Sequence, residues 1–245
     1  MDQNIIVREA TPDDKKYAET ITTEMAESAK ARGTGIAKRS PDYIEMKMEE
    51  GKAVIAVTPD GTWVGFCYIE AWEHEKYVAN SGLIVSPAFR KSGVAKEIKN
   101  KVFALSRKKY PDAKIFGLTT GLAVMKINSD LGYEPVTYSE LTNDEEFWKG
   151  CRSCVNYEIL MSKGRKNCMC TAMLYDPAEK AAEEAARIAA QVPVPVARES
   201  KEFALNSKIY ERFMRLKQFV MLKGWRKKDE PEERKNSILS FLFFW

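Results

Sequence analysis

Leu83-Ile-Val-Ser-Pro-Ala-Phe-Arg-Lys-Ser-Gly-Val-Ala95 is the stretch on which the fold turns. Three β-favouring residues end at Val85, and Pro87 stops the strand because it cannot donate to a ladder. A loop with Arg90, Lys91, Ser92 and Gly93 follows, and then Val94, Ile98, Val102 and Leu105 fall at helical spacing. The segment reads as strand, tight loop and amphipathic helix. The first amides of such a helix lack partners within it, and the positive end of its dipole lies there. Both features suit an anion. Gly93 allows backbone to approach a ligand, while Arg90 and Lys91 add charge. The expected ligand is a phosphate or pyrophosphate. A solvated strand–loop–helix joint is the alternative that so short a pattern leaves open.

Working outward, the chain alternates in type. Ile5 to Arg8 reads as a strand. Thr11-Pro-Asp-Asp opens a helix running to about Ala29, and Ser40-Pro-Asp opens a second that ends near Gly51. Ala53–Val57 is a strand, Pro59-Asp-Gly61 a hairpin turn, and Trp63 to Trp72 the returning strand. Tyr77 to Val85 forms the strand before the loop. Beyond the helix, Ile115–Thr119 reads as a strand, Val124, Ile127 and Leu131 mark a short helix ended by Gly132, and Cys168 to Tyr175 is a last strand. The order βααβββαβαβ gives an α/β fold, a mixed central sheet flanked by helices.

Val85-x-Pro87-x-x-Arg90-x-x-Gly93-x-Ala95, with the helix, strand and helix after it and Leu131-Gly-Tyr-Glu-Pro135, resembles the GNAT family of N-acetyltransferases. The likeness covers about residues 4 to 176 and is sharpest over 83 to 95. It implies that Arg90, Lys91, Ser92, Gly93, Val94, Ala95 and Lys96 hold the pyrophosphate of an acyl-coenzyme A. It implies too that Leu83, Ile84 and Val85 pair through their backbone with its pantetheine arm. The reaction it implies is transfer of an acyl group to an amine.

That amine must be neutral to attack, so a base or a water chain takes its proton. Glu70 and His74 are the base candidates near the end of one strand, and Asn80 or Ser81 could hold a water. The leaving thiolate needs a proton. Many relatives use a Tyr four residues before the glycine that ends the short helix; that position here is Asn128. Asn donates a hydrogen bond but is no acid, which leaves the thiolate step open. Tyr133 is expected to pack. The loop between the first two helices carries Arg32, Lys38 and Arg39 and no acid. With Thr119 and Thr120 at a strand end, it is expected to bind an acidic small-molecule acceptor. A more distant likeness to the acetyltransferase-fold proteins of bacterial arginine biosynthesis suggests the α-amine of glutamate, acylated from acetyl-CoA or succinyl-CoA. The alternatives are a protein or peptide N-acetyltransferase, and a non-catalytic acyl-CoA-binding, zinc-stabilised module.

Cys151-x-x-Cys154 and Cys168-x-Cys170 place four of five cysteines within twenty positions. They could give a tetrahedral sulfur set for a structural zinc, far from acyl transfer. The competing reading is strand cysteines, since Cys168, Cys170, Ala172 and Leu174 alternate on one face.

The chain has 245 residues, 44% hydrophobic and 30% charged, the balance of a folded globular protein. A net charge of +4 is too mild to argue for nucleic acid. The longest apolar run, Ile238 to Trp245, is far short of the ~20 residues a membrane span needs. No secretory signal is read at Met1-Asp-Gln-Asn-Ile, and the odd number of cysteines argues against a disulfide framework, so a cytoplasmic setting is expected. Residues 1–176 are expected to be the acyltransferase domain and 177–245 a helical appendage. The appendage opens with an Ala-rich helix and continues through Val192-Pro-Val-Pro-Val196 as a stiff linker. A stripe of Ile209, Phe213, Leu216 and Val220 could pair it with the domain or with a second copy.

Overall fold

The computed structural model describes residues 4–33 and 37–191. The linker, the stripe from Ile209 to Val220 and the apolar end at Trp245 lie outside the described residues.

Seven strands make one sheet: β1 (Ile6–Glu9), β2 (Ala53–Val57), β3 (Trp63–Trp72), β4 (Tyr77–Val85), β5 (Lys114–Thr119), β6 (Glu134–Val136) and β7 (Thr171–Tyr175). Their spatial order is β1-β2-β3-β4-β5-β7-β6. All neighbours run antiparallel except β4 and β5. Parallel strands need a crossover, supplied here by α3 (Val94–Lys109). The other helices are α1 (Ala18–Arg32), α2 (Pro41–Glu49), α4 (Leu122–Asp130), α5 (Glu145–Lys149), α6 (Tyr157–Ser162) and α7 (Pro177–Gln191).

Helices cover both faces. Ile21, Met25, Ile44 and Met48 of α1 and α2 pack on Ile55, Phe66, Tyr68 and Ile84. On the opposite face Val94, Ile98, Val102 and Leu105 of α3 pack on Val54, Val64, Ile69 and Val78. Central strands β2 and β3 are therefore buried on both sides, which is why they read as continuous apolar runs. Gly65 lets α3 settle on β3, since a Cβ there would stand 2.7 Å from Ile98 Cδ1.

The first helix differs from its sequence reading in one respect. Thr11 caps a single 3-10 segment, Pro12–Tyr17, and the α-helix begins only at Ala18. Asp14 explains the break: its carboxylate turns back to accept from Thr11 N (2.8 Å) and from the Arg8 fork (2.7 and 2.8 Å). At the other end the last strand starts at Thr171, not Cys168. Cys168 and Cys170 thus precede the strand and do not share a pleated face with Ala172 and Leu174. Strand β6 and helices α5 and α6 are elements the sequence reading did not resolve. α7 forms as expected, its first turn fixed by Asp176 Oδ1, which accepts from Ala178 N (2.9 Å). Among the described residues, no helix is long and apolar enough to cross a membrane.

Candidate active site

β4 and β5 pair only through Tyr77–Lys114, Val78–Ile115 and Ala79–Phe116. Beyond them β5 stays with β7 as far as Thr119–Thr171, while β4 stays with β3. The two parallel strands splay apart, and one backbone edge of β4 from Asn80 to Val85 faces the gap. The β3–β4 register slips between Phe66 and Tyr68, opposite Gly82 and Leu83. Gly82 sits there at φ +66°, with Met25 Cε 2.5 Å from where a Cβ would stand, so neither the backbone nor the space admits a side chain.

The loop after β4 holds the expected geometry. A 3-10 turn, Pro87–Phe89, leads to Lys91 at φ 68° and Gly93 at φ +91°, and α3 begins at Val94. Lys96 N is the first amide turned inward, donating to Gly93 O (2.9 Å). Among the described residues, no group accepts from the amides of Lys91 to Ala95, which is the concave amide set an anion requires. A Cβ on Gly93 would meet nothing within 4 Å, so the loop mouth is open. Arg90 points elsewhere: its Nε donates to Val85 O (3.1 Å) and its Nη2 to Glu24 Oε1 (2.8 Å) and Ser28 Oγ (2.7 Å). Arg90 ties strand end and loop to α1, and Glu24 balances its charge. Lys96 pairs with Asp130 at 3.0 Å on the surface.

The gap opens into a cavity of about 320 Å³. Its walls bring together Arg32, Arg39, Glu70, Thr119, Thr120 and Asn128. Leu83 borders it as well. Lys38 is not in the wall; its amide donates to Ser153 Oγ (3.3 Å). Arg39 Nη2 donates to Glu70 Oε1 (2.9 Å) and its Nε to Tyr68 Oη (3.1 Å), and the guanidinium lies 4.9 Å from the Tyr43 ring centre. The Tyr43 hydroxyl also donates to Glu70 Oε1. Burial and the nearby Glu70 charge push the Tyr43 hydroxyl well up. Burial works against the Arg39 charge, but Tyr68 and Glu70 outweigh it and hold the guanidinium protonated. The loop therefore presents less net positive charge than its sequence suggests, because Glu70 neutralises Arg39.

His74 is not in this cavity. Glu73, His74 and Glu75 all take left-handed backbone (φ 49°, 54° and 68°), which swings His74 out into solvent. It borders a separate shallow groove with Lys114. Asn128 is fully buried; its Nδ2 faces Met173 Sδ at 3.7 Å, and its Oδ1 has no partner. Tyr133 packs as expected, and its hydroxyl donates to Asn80 Oδ1 (3.0 Å).

The cysteine cluster requires a correction. Cys151, Cys154, Cys168 and Cys170 all line this same cavity, so they are not remote from the splayed strands. Asn156 bridges two of them: its amide donates to Cys154 Sγ (3.4 Å) and its carbonyl accepts from Cys168 Sγ (3.9 Å). Among the described residues no group of three or more His, Cys, Asp or Glu side chains is arranged to hold a metal ion. The expected zinc set is thus not assembled. Burial, reinforced by the neighbouring sulfurs, pushes the Cys151 thiol up to about 11 and the Cys170 thiol up to about 12. Without a bound metal both are therefore protonated thiols at neutral pH.

Residues 24–123 match the model of the acetyltransferase (GNAT) family. No curated protein matches the sequence. Among solved structures, N-acetylglutamate synthase from Neisseria gonorrhoeae, complexed with coenzyme A and N-acetyl-glutamate, is 15% identical with a TM-score of 0.50. The match covers 72% of this chain and 36% of the synthase, so this chain spans little more than a third of its length. A Mycobacterium tuberculosis protein in complex with CoA is 17% identical, over 70% of this chain and 98% of its own, with a TM-score of 0.49. A phosphinothricin acetyltransferase from Sinorhizobium meliloti, in complex with AcCoA, is 15% identical over 70% of this chain and 88% of its own, with a TM-score of 0.47. At 15% identity the likeness to the synthase speaks to the fold alone. The splayed β4–β5 pair, the amide-lined loop and the family match over residues 24–123 agree: this chain has a GNAT-like fold.

Proposed function

We propose that the chain is an acyl-CoA-dependent N-acyltransferase acting on the primary amine of a small molecule. The observation that carries this reading is the splay of β4 from β5 after Ala79–Phe116, together with the unpartnered amides of residues 91–95. A strand edge with free amides and carbonyls suits a pantetheine arm, which itself carries amides. The loop amides suit its diphosphate. In this reading Leu83, Ile84 and Val85 hold the arm, and Lys91, Ser92, Gly93, Val94, Ala95 and Lys96 surround the diphosphate. Arg90 positions the loop from behind.

The acyl carbonyl then reaches the bulge at Gly82. A backbone N–H of β4 there would stabilise the charge that develops on the carbonyl oxygen during attack. The acceptor enters from the cavity side. Glu70 is the acid–base candidate in that wall, because both of its protein contacts fall on Oε1 and leave Oε2 for an amine or a water. His74, outside the cavity, has no part in the step.

Arg32 in the wall favours an acceptor that carries a carboxylate. Glutamate is the first such acceptor to test, and acetyl and succinyl are the donors to compare. We place the reaction in residues 1–176, treat the remainder as an appendage, and assign a cytoplasmic setting. The test is mass analysis of products after incubation with acetyl-CoA, succinyl-CoA and an amino-acid mixture. An N-acylated amino acid supports the reading. CoA binding without turnover of any amine would instead make the chain a binding module, and acylation of peptides alone would change the acceptor class.

A further inference from the structure

Lys99 lies on α3 with 2% of its surface exposed, yet it lines the same cavity as Asn128 and Leu83. A fully buried amine without a counter-charge is rare and costly. Its Nζ donates to Asn80 Oδ1 at 3.4 Å and stands 5.3 Å from the Tyr133 ring centre. Asn80 is itself held from two further sides: Tyr133 Oη donates to its Oδ1 (3.0 Å), and its Nδ2 donates to Ser106 Oγ (2.7 Å). The groups that face Lys99 are Cys67 of β3, Asn80 of β4 and Tyr133 after α4, with Ser106 of α3 bonded to Asn80 behind them. None of these is a carboxylate, and among the described residues none ion-pairs with Lys99. The wall of the same cavity also holds a buried polar atom with no partner, Asn128 Oδ1. Tyr133 N donates to Asn128 O (3.1 Å), which joins the two residues through one packed segment.

We infer that Lys99 is the proton donor to the sulfur of the departing coenzyme A. The inference rests on the acyl-CoA reading above. An arm lying along β4, with its diphosphate at residues 91–95, runs back along the strand toward Gly82 and Asn80. The five steps of strand from Val85 to Asn80 span about 17 Å at about 3.3 Å each. The sulfur end therefore comes to the part of β4 that Lys99 touches. There the acceptor's nitrogen–carbon bond forms as the carbon–sulfur bond breaks. The sulfur keeps the bonding pair and takes a proton from Lys99 Nζ. The acceptor nitrogen's proton leaves toward the cavity water, and Lys99 regains its own from solvent by the same route. Asn128, which cannot serve as an acid, is relieved of that step.

The chemistry of the residue fits this role. Burial pulls the Lys99 amine down to about 8, with Cys67 acting weakly in the other direction. The group is then mostly protonated at neutral pH and close to a free thiol at about 8.5, so transfer to sulfur is near balance. A permanently charged residue would stabilise the thiolate without surrendering a proton.

The test reads the sulfur itself. Thiolate ultraviolet absorbance of bound CoA is titrated against pH, with the same protein saturated with desulfo-CoA as the blank to cancel its own cysteines. Wild-type, Lys99→Met and Lys99→Arg proteins are compared, with melting curves to show that each is folded. Lys99→Gln is read in place of Lys99→Met should the latter unfold. The bound thiol is expected to titrate roughly 1–3 pH units lower in the wild type than in Lys99→Met, the effect of an adjacent cation. Lys99→Arg should recover most of that difference but not the turnover, because its guanidinium keeps its proton; turnover fully restored in Lys99→Arg would reduce Lys99 to a fixed charge and overturn the proton-donor role. Equal values in wild type and Lys99→Met, with CoA bound to both, would overturn the inference and leave the acyl-CoA reading standing. Tyr157 also stands in the cavity wall, and loss of the low value in Tyr157→Phe but not in Lys99→Met would move the role to that tyrosine. Failure of any form to bind CoA would remove both readings.

Discussion

Arg39 Nη2 lies 2.9 Å from Glu70 Oε1, so the wall of the cavity holds an ion pair where the sequence shows three basic residues of one loop. Their side chains are 18% and 6% exposed. Removing one partner leaves the other charge poorly solvated. Arg39→Met is therefore expected to cost about 2–3 kcal/mol in denaturant unfolding, somewhat below the range for a fully buried pair. Glu70→Gln should cost less, since the amide oxygen still accepts from Arg39 and Tyr43. It should nonetheless slow turnover at least tenfold if Glu70 handles the amine proton.

Two glycines separate space from backbone conformation. Gly82→Ala faces both a left-handed backbone and collisions with Tyr68 and Met25, and should cost about 2–4 kcal/mol. Gly93→Ala faces only the backbone penalty, about 1 kcal/mol, because nothing lies within 4 Å. Gly93→Ala should nevertheless weaken CoA binding, measured by calorimetry, far more than its small loss of stability suggests. Arg90→Met should lower CoA affinity through a loosened loop, with a heat-melting shift that Gly93→Ala lacks.

Lys99 predicts a pH dependence of stability with a definite sign. Its amine is charged more easily in the unfolded chain, near 10.4, than in the fold at about 8. Folding therefore expels a proton between these values, and stability rises as pH climbs from about 8 to about 10.4. At neutral pH the buried charge costs on the order of 2–4 kcal/mol. Lys99→Met should be more stable than wild type at pH 7, less active, and equal in stability near pH 11. Chemical denaturation across this range measures it.

The thiols offer a map of the cavity. Cys67 is fully buried, and burial pushes it up to about 11. It should react with a maleimide only on unfolding. Cys151, Cys154, Cys168 and Cys170 are half-buried and should react in the folded protein. The rates at Cys151 and Cys170 should keep climbing, about tenfold per pH unit, well beyond the range of an ordinary thiol, because both are pushed up. A bound acceptor should slow all four. Mass mapping of labelled peptides reads this out.

Much of the frame was legible because its cause is local. The apolar runs of β2 and β3, the Pro–Gly turn between them and the stripe of Val94, Ile98, Val102 and Leu105 all signal their structure over a few residues. The loop over 91–95 was legible for the same reason. What depended on distant contact was not. Arg90 carries the motif, but only the approach of Glu24 and Ser28 from α1 shows that it faces backward. Glu70 looked like a free carboxylate until Arg39 and Tyr43 arrived from α2 and the loop before it. The short β6 and the helices α5 and α6 lack length for a periodic signal. Lys99 left a trace that went unread: with Val102 and Ser106 it stands at i, i+3 and i+7, so the core-facing stripe of α3 includes two polar residues.

The central claim is that the amides of residues 91–95 and the open edge of β4 seat an acyl-CoA. A crystal structure of the protein with CoA tests it most directly. Diphosphate oxygens are expected within hydrogen-bonding distance of the amides between Lys91 and Ala95, and pantetheine amides paired with Leu83 and Val85. A diphosphate bound at any other place, or a β4 edge left bare beside bound CoA, would contradict it.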